Sequence, residues 1–272
     1  PVAAEADDGG PSRVTIFFAN ASDRDEARRL LLQHVPATSL VTRDVEDEGW
    51  AARSQAALGP ITVGRLTVSP PWHLQLEGPL LAPGDDRHAS STMPPTAPSA
   101  TVVILPSMGF GTGHHASTRL CLAALQAIDV TNRTVLDVGT GSGVLALAAV
   151  LCGARSAVGL DYDEDALHSA RENHALNGAP ASVQFRRHDL DEGDLPPADV
   201  VVANLTGGLL VRQAERLMAT IRPSGVLIAS GLMAAEREAV LAAFEPLAVT
   251  WEAVEDEWVG LALTRPSRDR AH

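Results

Sequence analysis

The sequence predicts an α/β protein whose main part is a parallel β-sheet with helices on both faces. From residue 101 onward, short apolar segments typical of buried strands alternate with longer segments of helical periodicity, and repeated strand–helix units form parallel sheets. The apolar strand at 134–138 runs into a loop with glycine at every second position, and the next apolar strand ends in Asp161. Ligands bind at the carboxyl ends of such strands, so both features indicate a ligand site.

The chain divides in this interpretation into two parts. Residues 1–45 predict a small N-terminal α/β element, to which we assign substrate recognition as a hypothesis. Residues 46–272 predict the main domain, with its core at 101–264. The 272 residues allow one large domain with such an appendage.

In the N-terminal element, residues 14–18 are β-branched and aromatic, which is typical of a strand. Ser22 or Asp23 is placed to cap the helix that follows. Residues 39–43 predict a second short strand.

The stretch between this element and the core predicts one helix and two strands. The helix is expected over 47–57, and strands at 61–63 and 65–68 flank Gly64. Residues 83–99 are rich in proline, serine and aspartate and predict a loop.

The core elements follow in strict alternation until the last two strands. Strands are predicted over 102–105, 134–138, 157–161, 183–185, 199–204, 225–229, 249–252 and 259–263. Helices are predicted over 118–127, 144–151, 163–177, 209–221 and 234–243.

The net charge limits the classes of molecule that we expect this protein to bind. The formal net charge is −13, and all 21 positively charged residues are arginines. A protein that coats nucleic acid needs a basic surface, so we expect no direct nucleic acid binding. An acidic protein suits a small-molecule substrate or a basic protein partner.

Two cysteines, Cys121 and Cys152, lie in apolar stretches and have no metal-ligand spacing, so we expect buried free thiols and no metal site.

The first residues are polar and acidic, and no apolar run is long enough to span a bilayer. We therefore expect a cytoplasmic monomer that does not contact membranes.

The segment Asp137-Val138-Gly139-Thr140-Gly141-Ser142-Gly143 is the candidate cofactor loop. Glycines permit a tight turn and a close approach of the cofactor, and the following helix presents its amides to the ligand. A dinucleotide loop needs G-x-G-x-x-G, which fails here. Asp137 also suits a cationic cofactor with an amino group better than a pyrophosphate. The pattern thus favours the methyl donor S-adenosylmethionine; a nucleotide redox cofactor and a structural turn are the alternatives.

Asp161 follows the loop by about twenty residues, the distance expected for a carboxylate that binds both ribose hydroxyls. Its alternative role is to cap the next helix, which Asp163 can do instead. Asp189 either lies beside the adenine or belongs to an ordinary acidic loop.

Three stretches together resemble one family. They are the segment from Phe110 to Leu122 (FGTGHHASTRLCL), the loop just described, and Val202-Ala203-Asn204-Leu205. Their order and spacing resemble the bacterial ribosomal-protein lysine methyltransferases of the PrmA family, which modify large-subunit protein eleven, over roughly residues 46 to 264. The resemblance implies a Rossmann-like, seven-stranded S-adenosylmethionine-dependent methyltransferase fold.

The resemblance also implies cofactor contacts from Thr118, Gly139, Asp161 and Asn204, with Asp137 and Gly141 in the same loop. This chain departs from the family in three places. It has His-His-Ala-Ser-Thr at 114–118 where the family has Thr-His-Pro-Thr-Thr, a changed segment after Asn204, and a shorter N-terminal recognition domain.

The catalytic residues proposed from the sequence are Asn204 and His115. Asn204 ends a strand at the carboxyl edge, where its amide oxygen or the next backbone carbonyls accept from the attacking amine; its alternative is to cap helix 209–221. His115 either orders the acceptor channel or the cofactor carboxylate, or is a structural loop residue. Thr118 is either a helix cap or a cofactor ligand, and Phe110 and Trp72 are candidates to wall the site.

The sequence thus predicts an S-adenosylmethionine-dependent protein N-methyltransferase that acts on lysine or N-terminal amines of a basic ribosomal large-subunit protein. Other hypotheses remain: a methyltransferase of another protein or of a small molecule on the same scaffold, or a non-catalytic cofactor-binding module. An RNA methyltransferase would need a basic stripe with stacking aromatics, whereas aromatic residues make up 4% of the chain.

Overall fold

The computed structural model describes residues 2–3, 15–16, 21–34, 40–41, 58–74, 100–106 and 113–265. The chain forms two compact units, residues 1–50 and 51–272. The predicted helix at 47–57 and loop at 83–99 lie outside the described residues, and the recognition role of residues 1–45 stays a prediction.

The first unit contains a two-stranded antiparallel ribbon and one helix. Strand β1 (Val2–Ala3) pairs with β2 (Thr15–Ile16), and helix α1 covers Ala21–His34. Because α1 begins before Ser22 and Asp23, both lie within its first turn, so neither precedes the helix as the predicted cap. Leu40 and Val41, from the strand predicted at 39–43, are not in a strand.

The second unit opens with a small sheet. Strands β3 (Ile61–Val63) and β4 (Leu66–Ser69) form the predicted antiparallel hairpin around Gly64, and β5 (Ala100–Val103) pairs with β4 in parallel. A short 3₁₀ turn, Pro71–His73, follows β4.

The remaining elements form the large sheet and its helices. In chain order they are α2 (Ala116–Ala127), β6 (Thr134–Val138), α3 (Val144–Leu151), β7 (Ser156–Asp161), α4 (Glu164–Leu176), β8 (Val183–Arg187), β9 (Ala198–Asn204), α5 (Gly207–Arg212), α6 (Ala214–Thr220), β10 (Ile221–Met233), α7 (Arg237–Ala243), β11 (Ala248–Glu255) and β12 (Trp258–Thr264).

The large sheet has seven strands in the order β11-β12-β10-β9-β6-β7-β8. The five strands from β10 to β8 are parallel, and β12 is antiparallel to both β10 and β11. The chain order reverses at β6, so the carboxyl ends of β6, β7 and β9 border a crevice of the kind that binds ligands. The predicted Rossmann-like seven-stranded fold is confirmed.

Two apolar layers cover the faces of this sheet, because successive strand residues point to opposite sides. On β9, Val200 and Val202 pack with α2, α3 and the small sheet, whereas Val201 and Ala203 pack with α5, α6 and α7. Within the described residues, no helix is both long and apolar enough to cross a membrane.

The helix predicted as continuous over 209–221 is wrong in one respect: it breaks at Gln213 into α5 and α6, and Ile221 belongs to β10. At the break, Gln213 has φ −99° and ψ 8°, and its buried side chain donates to Asp191. The backbone bonds from Gln213 to Leu209 and from Leu217 to Gln213 are kept.

At the amino ends of the central strands, Asp199 joins β9 to β6 and β10. Its Oδ2 accepts from the Thr134 amide at 2.8 Å and from the Thr134 hydroxyl at 2.7 Å, with Arg222 at 3.4 Å. The bonds from Thr134, with help from Arg222, hold the pKa of Asp199 below its usual value. This contact lies at the edge of the sheet opposite the crevice.

Replacing Asp199 by alanine should therefore weaken the fold and leave the ligand site intact. Because the carboxylate is partly exposed, we expect the free energy of unfolding to fall by about 1 kcal/mol, measured by urea unfolding at neutral pH. Ligand affinity at the opposite edge should not change. A loss of ligand affinity as large as the loss of stability would contradict this separation.

Candidate active site

The glycine loop turns sharply between β6 and α3. Gly139, Gly141 and Gly143 have φ of 71°, 53° and 81°, values in the left-handed region that favours glycine. The amides of Gly139 and Thr140 both donate to the carbonyl of Leu160, at 2.8 and 2.9 Å. The loop is therefore held against the end of the neighbouring strand β7.

Asp137 supports this loop from below. Its side chain is fully buried, and Oδ2 accepts from the Thr140 hydroxyl at 2.6 Å and the Ala146 amide at 3.2 Å. Oδ1 is buried and has no hydrogen-bond partner among the described residues. Burial raises the pKa of Asp137 to about 7, because desolvation outweighs the two hydrogen bonds to the charged form.

The carboxylate of Asp161 faces the same loop. Oδ2 accepts from the Gly141 amide at 2.9 Å, and Oδ1 accepts from the Asp163 amide at 3.1 Å. Asp163 caps α4 through the Asp165 amide, so capping, the alternative role for Asp161, belongs to its neighbour. Asp161 is partly exposed in the crevice, and each of its oxygens keeps capacity for a further donor.

The crevice itself is a cleft of about 920 Å³ along the carboxyl ends of β6, β7 and β9. Four predicted site residues line it, namely Gly139, Gly141, Asp161 and Asn204. Asp189 lines it as well. Asp137, Thr118 and His115 are not among the lining residues. In the described parts of the chain, no cluster of three or more acidic, histidine or cysteine side chains is arranged to hold a metal ion.

Asn204, which lines the cleft, is hydrogen-bonded to Thr118. Asn204 Nδ2 donates to the buried Thr118 hydroxyl at 3.4 Å. Gly231, with φ 85°, lies against them: a side chain there would come within 2.5 Å of the Leu205 carbonyl oxygen and 3.0 Å of Asn204 Oδ1. Helix α5 begins after Thr206, whose carbonyl accepts from the amides of Leu209 and Leu210. Asn204 therefore does not cap that helix.

His115 caps helix α2. Its Nδ1 accepts from the Ser117 amide at 3.3 Å and lies 2.8 Å from the Ser117 hydroxyl, and its ring packs edge-on against Trp258 with centroids 4.5 Å apart. Since His115 is the cap, Thr118 lies inside the helix, and the cap alternative for Thr118 is wrong. The catalytic role of His115 stays a prediction.

The glycine loop is also tied to the small sheet through two buried asparagines of the α4 region. Asn173 accepts from the Leu105 amide at 2.8 Å and donates to the Ser142 carbonyl at 2.9 Å. Asn177 exchanges two bonds with the backbone of Val103, at 2.9 and 2.7 Å. The chain that leaves β5 is thus anchored beside the loop.

Sequence reasoning missed several residues that line the cleft. They are Tyr162, His168, Leu190, Leu209, Arg212 and Gln213. Tyr162 had a usable signal, because it directly follows the strand-ending Asp161, and it is 67% exposed. Trp72, a candidate wall, is exposed and not among the lining residues, and Phe110 lies outside the described residues.

A seven-stranded sheet of this order, with the acidic glycine loop after its central strand and a second aspartate at the end of the next, defines the S-adenosylmethionine-dependent methyltransferases. A family model described as ribosomal protein L11 methyltransferase (PrmA) matches residues 7–266. The chain therefore belongs to that family, as the resemblance implied.

Individual proteins of this family are similar to the chain over most of its length. The ribosomal protein L11 methyltransferase of Citrifermentans bemidjiense is 37% identical over 82% of this chain and 69% of that protein. That of Cupriavidus taiwanensis is 35% identical over 94% of this chain and 80% of that protein. The crystal structure of the ribosomal protein L11 methylase from Lactobacillus delbrueckii subsp. bulgaricus matches with a TM-score of 0.62 and 25% identity, over 76% of this chain and 98% of that one.

The raised pKa of Asp137 makes stability depend on pH. The folded pKa is about 7 and the unfolded one about 3.9, so between them the folded chain holds more protons. The stabilisation that the protonated Asp137 carboxyl gives the folded state is fully present below about pH 4 and is lost as the pH rises to about 7. In the wild type, the free energy of unfolding should therefore fall between pH 5 and pH 7.5. In Asp137→Asn we expect this fall to be smaller by roughly 1–3 kcal/mol, measured by urea unfolding without cofactor.

The exposed Asp194→Asn is the matched control for removal of one negative charge near the cleft. It should leave the slope of stability against pH as in the wild type. Parallel slopes for Asp137→Asn and the wild type would overturn the assignment of a proton to the Asp137 carboxyl.

Proposed function

We propose that this enzyme methylates amines of ribosomal protein L11, on lysine side chains or the N-terminus. The observation that carries the proposal is the position of Asn204: in a member of this family, it lines the same cleft as the glycine loop. The relatives' names identify ribosomal protein L11 as the substrate of those proteins. An acidic chain of net charge −13 suits a basic ribosomal protein.

The described residues fit S-adenosylmethionine, which supplies an activated methyl group on sulfur when bound. The positive-φ glycines carry no side chain, so a ligand can approach the loop backbone closely, and Asp161 has spare acceptor capacity for two hydroxyls. Oδ1 of Asp137, which has no hydrogen-bond partner among the described residues, adds a buried oxygen beneath the loop. We assign cofactor binding to Gly139, Gly141, Asp161, Asn204 and Thr118, and loop support to Asp137.

Asn204 has the chemistry to aim the attacking amine. Its Nδ2 is directed to Thr118, which leaves Oδ1 as the acceptor, and the Leu205 carbonyl lies close by across Gly231. Two oxygens that accept from an amine orient its remaining lone pair for attack. An ordinary lysine amine has a pKa near about 10.4 and must lose its proton first; water can take that proton before docking, so the site needs no strong base.

His115 fits a positioning role better than contact with reacting atoms, because its Nδ1 is engaged by Ser117 and its ring by Trp258. It holds the first turn of α2, which carries Thr118. For the whole protein, we propose a cytoplasmic monomer that binds no nucleic acid directly.

The test is transfer of labelled methyl groups from S-adenosylmethionine to purified, unmethylated ribosomal protein L11, with cofactor binding measured by calorimetry in the same preparation. Labelled L11 would support the proposal. Cofactor binding without labelling would refute this substrate and direct the search to other proteins or small molecules. Absence of cofactor binding would refute methyl transfer itself.

Asp161→Ala should weaken S-adenosylmethionine binding by about 1–3 kcal/mol, because charged hydrogen bonds to the ligand are lost. Calorimetry on the folded variant measures the change. Asp163→Ala is the control: its carboxylate caps α4, so it should lower stability while affinity stays closer to that of the wild type. Unchanged affinity in folded Asp161→Ala would refute the assignment of Asp161 to the ribose hydroxyls.

Asn204→Ala should lower kcat for methyl transfer on the order of 10- to 100-fold, because the acceptor amine is no longer aimed. The dissociation constant for S-adenosylmethionine should change much less. Single-turnover transfer and calorimetry separate the two effects. If rate and affinity fall by the same factor, Asn204 binds the cofactor and does not orient the acceptor.

A further inference from the structure

The loop after β8 forms one wall of the cleft. Four of its residues, from His188 to Asp191, line the cleft, and the His188 amide donates to the Asp161 carbonyl at 2.8 Å. The loop carries a dense negative charge. Its carboxylates are those of Asp189, Asp191, Glu192 and Asp194. Like charges at such spacing repel one another, and contacts from outside the loop add to its internal bonds from the Asp191 and Glu192 amides to Asp189.

Those contacts come from Gln213, at the break between α5 and α6, and from Arg216, in the first turn of α6. Arg216 donates to three carbonyls of the loop: to Leu190, to Gly193 at 3.1 Å and to Asp191 at 3.3 Å. Gln213 Nε2 donates to Asp191 Oδ1 at 2.7 Å. Gln213 is 5% exposed and itself lines the cleft. The guanidinium also brings a positive charge to the acidic loop.

We propose that Gln213 and Arg216 are positioning residues that clamp the loop at 188–194 and thereby set the affinity for the methyl donor. The inference rests on the proposed function and adds the residues that shape the far wall of its cleft. The clamp acts on binding and leaves the methyl-transfer step at Asn204 untouched.

A donor–acceptor exchange tests the bond from Gln213. Gln213→Glu places a carboxylate against Asp191, so the KM and dissociation constant for S-adenosylmethionine should rise about tenfold, with kcat unchanged. Asp191→Asn keeps a donor opposite an acceptor, so both constants should rise less than in Gln213→Glu. The double variant Gln213→Glu/Asp191→Asn restores a donor opposite an acceptor and should return both constants to within about twofold of wild type.

Arg216→Ala tests the second half of the clamp and does not depend on Gln213→Glu folding. It should raise the same two constants several-fold, about as a lost charged hydrogen bond does, with kcat unchanged. Arg265→Ala is the matched control, because Arg265 donates to the Met218 carbonyl of α6 at 3.0 Å, and it should match the wild type.

The clamp is refuted if the double variant binds as weakly as Gln213→Glu, or if Arg216→Ala and Arg265→Ala bind alike. It is also refuted if kcat falls with affinity unchanged. A wild-type chain that binds no S-adenosylmethionine would instead overturn the proposed function. Normal binding by the wild type with failure of the exchange would overturn the clamp alone.

Discussion

The buried carboxylate of Asp137 is the constraint on which the rest of the site depends. It lies on the central strand, in register with Gly159 on one side and Val202 on the other. Its Oδ2 turns the Thr140 hydroxyl inward, into space that exists because residue 159 is glycine: a side chain there would come within 2.5 Å of that hydroxyl. Burial of the carboxyl costs free energy, which the bonds from Thr140 and Ala146 to Oδ2 offset in part, and these two bonds hold the loop and helix α3 to the central strand.

The cofactor loop follows from that inward turn. With Thr140 held below, the glycines on either side take positive φ, and the Gly141 amide reaches Asp161 across to β7. Asn173 adds a tie from the loop to the end of β5. The loop is thus fixed from the central strand, the neighbouring strand and the small sheet, which gives a rigid surface on which a ligand need order little.

Acidic side chains dominate the charged lining of the cleft. Five aspartates line it, against a single arginine among the lining residues, Arg212. The aspartates are Asp161, Asp163, Asp165, Asp189 and Asp191. A field of this sign attracts cationic ligands, such as a sulfonium donor and a basic protein acceptor, and repels phosphate-rich ones. The acidic loop that contributes to this field needs support against its own repulsion, which connects the electrostatics of the cleft to the packing of α5 and α6.

Local pattern alone determined the strands of the parallel core, the loop after β6 and the strand-ending positions of Asp161 and Asn204, since burial and periodicity are properties of neighbouring residues. Only the tertiary structure decided that Thr118 meets Asn204 across 86 positions in the chain, that His115 serves as a helix cap, and that the helix over 209–221 breaks at Gln213. The reason is physical: these outcomes depend on side-chain contacts between elements that are distant in sequence, and local periodicity carries no information about which elements become neighbours.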